Sequence, residues 1–117
     1  MRMWMVDPRK MCRKHLLGEH VECHMYLGAV RALRSLDGFF QARYLFKPSC
    51  LKARHDALAA EMMYRGYLHH TPFTEDDTQL LLKSECFYDS APTACEADSA
   101  ANVTLLAMRC VECRNLQ

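Results

Sequence analysis

From Cys12 to Leu33 the chain carries no proline, and its apolar residues Leu16, Leu17, Val21, Leu27, Val30 and Leu33 recur at helical spacing. In a chain of 117 residues such a segment is a long central helix on which everything else has to pack. Asp7 followed by Pro8 marks a helix start, a capping carboxylate before a residue whose missing N–H costs nothing in a first turn. Gly18 and Gly28 weaken the helix locally but permit close packing.

Pro48 and Ser49 open a second helix, CLKARHDALAAEMMYRG, in which Leu51, Leu58 and Met62 share a stripe and Gly66 supplies the stop. Asp98 caps a last helix running to about Arg109 and ending near CVECRNLQ. Residues 35–47 read as a short helix or an irregular aromatic segment. Residues 67–97, with HHTPF, TEDDT and YDSAPTACEAD, read as an irregular excursion. With no repeat, linker or low-complexity tract, the expected architecture is all-α. It is a compact single domain over residues 1–117, built around the long central helix, with an irregular segment before the C-terminal helix.

Half the residues are hydrophobic and a quarter charged, which excludes a mainly disordered chain. The net charge of +1 hides an asymmetry: residues 1–66 hold twelve Lys/Arg against six Asp/Glu, so +6, and residues 67–117 hold three against eight, so −5. All six histidines precede residue 71. The split implies either an anion-facing surface in the first half, nucleic acid being the commonest large anion, or two solvated patches. No apolar run is long enough to span a bilayer, and the start MRMWMVDPRK lacks the apolar core of a signal peptide. Seven cysteines, an odd number, then imply reduced thiols in a cytoplasmic protein, with no membrane and no obligate protein partner.

At 100° per residue His15, Glu19, Glu22 and Tyr26 fall within roughly 60° of one another. That line is either the solvated face of the helix or a carboxylate beside a cleft. His20 and His24, four apart, could share a zinc ion, but the order His20, Val21, Glu22, Cys23, His24 misses the H-E-x-x-H pattern by one position. Both point into the apolar arc, which implies packed histidines. Cys110 and Cys113 form a lone CxxC, half a zinc site. Its other half would have to come from Cys86, Cys95, His69 or His70 without recognisable spacing, so no metal and no cofactor is expected.

The run HLLGEHVECHMYLGAVR, His15 to Arg31, resembles the central helix of the pyrimidine dimer DNA glycosylases of the endonuclease V type. Their motif has a His-Leu pair, two glutamates at this spacing and a Gly-Ala-Val-Arg ending. Arg54, Leu58, Ala60, Glu61, Arg65 and Gly66 repeat a second family pattern, and MRMW, HHTPF and CVECR resemble the prokaryotic branch. The resemblance is good over the first 73 residues and thin beyond them until the last helix.

It implies a DNA repair glycosylase with abasic-site lyase activity on damaged double-stranded DNA, ultraviolet dimers being the implied lesion. The family's catalytic glutamate falls on Glu22 and its nucleophile, an N-terminal α-amine, on Met1. Arg2, His15 and Arg31 match phosphate-contacting positions, and Arg13 and Lys14 add positive charge beside them. An α-amine has a reference pKa of about 8, against about 10.4 for lysine, so an appreciable fraction of it is neutral and nucleophilic at physiological pH. Attack on the sugar's anomeric carbon expels the base and leaves a Schiff base, and a carboxylate then moves protons for elimination. The phage pattern has arginines where this chain has Val21 and Met25, and those arginines belong to the damaged-DNA surface. Trp4, Phe39, Phe40 or Tyr44 could fill the space of an extruded nucleotide, or could form core. The alternatives are a nucleic-acid-binding module without catalysis and a small metal-binding helical protein.

Overall fold

The computed structural model describes residues 3–34, 48–85 and 100–117. Among them every regular element is helical, as expected: α1 (Arg13–Arg31), α2 (Leu51–Tyr64), α3 (Glu75–Ser84), α4 (Ala100–Arg109) and α5 (Val111–Arg114). Short 3-10 turns occupy Pro8–Lys10 and Pro48–Cys50. Met1, Arg2, the aromatic segment 35–47 with Phe39, Phe40 and Tyr44, and the expected cap Asp98 lie outside the described residues.

The start signal at Asp7 works as read, opening a short turn at Pro8 that precedes the long helix. The Asp7 carboxylate accepts from the Arg9 N–H at 3.0 Å and the Met11 N–H returns to the Pro8 carbonyl at 3.1 Å. The chain then extends at Cys12 before α1 begins at Arg13. Both long helices end in the same way. Tyr67 N–H bonds Met62 O and Gly66 N–H bonds Met63 O, the paired closure that needs a left-handed residue, here Gly66 at φ 84°. In α1 the equivalent bonds run from Arg34 to Ala29 and from Leu33 to Val30. Leu33 therefore takes the left-handed position at φ 54° and is exposed, where the periodicity made it the last member of the buried stripe.

One element falls where an irregular excursion was expected. Thr74 caps α3 with a reciprocal pair: its hydroxyl accepts from Asp77 N–H and the Asp77 carboxylate accepts from Thr74 N–H. Glu75, Asp76 and Asp77 fill the first turn, where negative charge meets the exposed N–H groups. The helix follows from TEDDTQLLLK once that cap is recognised.

Helix α1 packs on α2 and α3. Leu16, Cys23, Leu27 and Val30 meet Leu51, Leu58 and Met62 of α2, Leu81 of α3 and Leu106 of α4 in one core. Met3, Trp4, Met5 and Val6 are all buried in it as well. The first described residues are thus interior, which places the N-terminal segment against α1. Among the described residues no helix is long and apolar enough to cross a membrane.

Candidate active site on the central helix

The line His15, Glu19, Glu22, Tyr26 is not a solvated face. Glu19 and Tyr26 are fully buried and Glu22 is 5% exposed, whereas Val21 and Met25 on the neighbouring face are more than half exposed. Burying a carboxylate requires partners, and Glu19 has them. One oxygen accepts the Trp4 N–H and, at 3.1 Å, the Met5 N–H. Its other oxygen pairs with Nε of Arg54, itself 5% exposed. Met5 stands at φ 54°, a left-handed turn that aims successive amides at one anion. Arg54 also donates through Nη2 to the Val6 carbonyl at 2.8 Å. A buried carboxylate and guanidinium from α1 and α2 thereby clasp the N-terminal segment. Glu22 lies one helical turn beyond that clasp on the same line.

The sequence assigned a role to neither Glu19 nor Arg54. Both were visible, Glu19 in the polar line and Arg54 in the α2 pattern, but nothing local says that residues 35 apart form an ion pair.

The basic residues spread around α1. Arg13 is exposed and lies over the Tyr67 ring, 4.8 Å from its centroid; Lys14 is exposed. Arg31 is more than half exposed and pairs with buried Asp77, which ties α1 to α3. His15 goes elsewhere. It is half-buried, its ring stands edge-on to Trp4 at 5.5 Å between centroids, and its Nδ1 faces Cys12 Sγ at 3.2 Å and Cys113 Sγ at 3.5 Å.

Among the described residues two groups of side chains come close enough to hold a metal ion: Cys12, His15, Cys110 and Cys113, and His20, His24 and His55. The side chains that meet the CxxC are Cys12 and His15. Cys86 and Cys95 lie outside the described residues, and His69 faces His20 instead. Cys12, Cys23, Cys110 and Cys113 are free thiols, but Cys50 is disulfide-bonded, against the expectation that all thiols are reduced.

His20 and His24 are packed, as their place in the apolar arc implied. His20 Nε2 lies 3.2 Å from His55 Nε2 and 3.1 Å from His69 Nε2, while His55 Nδ1 meets Asp56 Oδ1 at 3.0 Å. Phe73 stacks on His55 with centroids 4.1 Å apart. Burial first, then the mutual repulsion of His55, His24 and His69, pushes His20 down from 6.5 to about 4, and burial lowers His24 and His69 too. An unfolded chain would take up the His20 proton near pH 6.5, the folded chain only near 4, so stability is complete above 6.5 and falls with pH across that window. The expected loss from His20 is up to about 3 kcal/mol by pH 4. Urea unfolding at pH 7.5, 6 and 5 would show the slope, and His20→Gln should flatten it; a slope unchanged in the variant refutes the assignment.

A family model described as pyrimidine dimer DNA glycosylase matches residues 1–75. Comparison with curated proteins and with solved structures gave no significant match. The matched residues include the clasped N-terminal segment, all of α1 and all of α2. With the match covering well over half of its length, the chain belongs to the pyrimidine dimer DNA glycosylase family.

Proposed function

We propose that this DNA glycosylase also cleaves the strand as an abasic-site lyase, through a Schiff base between the α-amine of Met1 and the sugar of a damaged pyrimidine nucleotide. Glu22 is the proton-transfer carboxylate. The observation that carries the reading is the clasp: the Glu19 carboxylate, paired with Arg54, holds the amides of Trp4 and Met5 one helical turn from Glu22. Three extended residues cover at most about 10 Å, and three helical residues about 4.5 Å along the axis, so a chain of that length from Trp4 suffices for the contact this reading requires.

The neutral amine attacks C1′ and the base departs with the bonding electrons. Loss of the ring oxygen from C1′, protonated as it leaves, gives the Schiff base. Removal of a C2′ proton then expels the 3′ phosphate, and water releases the enzyme. Glu22 carries the protons of ring opening and elimination. Duplex DNA, with the damaged nucleotide extruded, is the partner, and Arg2, Arg13, Lys14 and Arg31 supply phosphate contacts. His15, turned toward two sulfurs, is dropped from that set. The working unit is the single domain 1–117 in the cytoplasm, with no cofactor in the chemistry. Val21 and Met25, exposed where the phage pattern has arginines, leave the lesion to be identified by the test.

Protein with a free amino terminus is mixed with duplexes carrying either a cyclobutane dimer or an abasic site, and cyanoborohydride is added. A covalent adduct mapping to the N-terminal peptide is expected with at least the abasic substrate. No adduct with either, or an adduct on an internal lysine, would remove the proposal.

A further inference from the structure

The four side chains at the start of α1 and at α5 form a second site, separate from Glu22. Cys12 and His15 are spaced C-x-x-H, Cys110 and Cys113 C-x-x-C, and the two pairs come from opposite ends of the chain. Cys12 Sγ lies 3.9 Å from Cys110 Sγ, and His15 Nδ1 lies 3.2 Å from Cys12 Sγ and 3.5 Å from Cys113 Sγ. All four ligand atoms fall within 4.8 Å of one another. Ligands of a tetrahedral zinc ion, with Zn–S near 2.3 Å and Zn–N near 2.0 Å, sit about 3.5 to 3.8 Å apart. Backbone amides also point at the sulfurs: Cys12 N–H donates to Cys113 Sγ at 3.2 Å and Cys113 N–H to Cys110 Sγ at 3.4 Å. Such bonds favour thiolates and fix their orientation. Ordinary packing of small apolar residues does not require three sulfurs and one imidazole nitrogen to converge on a point.

We infer that Cys12, His15, Cys110 and Cys113 bind one zinc ion in a closed structural site. Four protein ligands leave no position for water or substrate, so the ion fastens and does not catalyse. It fastens the C-terminal helices to the start of α1, and through the His15 ring it braces Trp4, whose amide Glu19 holds. Zinc is favoured by the ligand set, since three thiolates and one imidazole at tetrahedral spacing are its usual structural partners. The imidazole group His20, His24 and His55 is the competing location.

The test is metal analysis of protein purified without chelator, followed by replacement of the ion with cobalt. One zinc per chain is expected, and the cobalt form should show the thiolate charge-transfer absorption and the visible bands of a tetrahedral site made of three sulfurs and one nitrogen. Cys110→Ser and Cys113→Ser should lose or sharply weaken both signals, while His24→Gln, in the competing cluster, should keep them. Should the cysteine variants fold poorly, the wild-type cobalt spectrum alone decides, because a site of imidazoles lacks the thiolate band. Metal-free protein that takes up neither zinc nor cobalt, or a cobalt spectrum without thiolate bands, overturns the inference.

Discussion

Glu22→Gln is expected to lower strand cleavage by about 10²- to 10⁴-fold, the usual contribution of a positioned proton-transfer group, while affinity for damaged duplex stays within a few-fold. Glutamine keeps the shape of the side chain and can still accept and donate hydrogen bonds, so the buried position is filled. It cannot take and return a proton. Single-turnover cleavage of an abasic duplex measures the first quantity and a fluorescence binding assay the second. Trapping should persist in the variant if the amine still attacks, which separates Schiff-base formation from elimination. Cleavage at the wild-type rate would show that Glu22 is a structural carboxylate like its neighbour Glu19.

Arg54→Ala should cost about 3 to 5 kcal/mol of stability, the penalty for removing one member of a buried ion pair. The cause is what remains: the Glu19 carboxylate, fully buried, would keep two amide donors but no counter-charge. The Val6 carbonyl would lose its donor as well. The double variant Glu19→Gln/Arg54→Met removes both charges and should recover much of the loss, since an apolar replacement of a buried pair is often nearly neutral. Chemical denaturation of the two variants checks the order. Equal destabilisation in both would mean that the pair's electrostatics matter less than the packing of Arg54.

Much of this molecule was legible because its rules are local. The spacing of Leu16, Leu27 and Val30 gave α1, Gly66 gave the stop of α2, and their place in the apolar arc buried His20 and left His24 half-buried beside it. Helix α3 was legible in principle, since the Thr74 to Asp77 spacing is a capping signal, yet turn-forming residues around it obscured it. What depends on distant pairing was not legible. Glu19 looked like a surface residue until Arg54 arrived from α2, and His15 looked like a phosphate contact until Cys113 arrived beside it. Resemblance marks the positions of Glu22 and Arg54; only the folded chain shows what Arg54 does.

The bond from Cys12 N–H to Cys113 Sγ spans 101 residues. During synthesis the first helix can settle on α2 early, because Glu19 and Arg54 are separated by only 35 positions. Its leading end, by contrast, lacks its neighbour from α5 until residue 113 has been made, and closing so long a loop comes late in folding. For that interval Cys12 and His15 await their counterparts, and Cys110 and Cys113 at α5 are the residues that complete the cover over the start of α1.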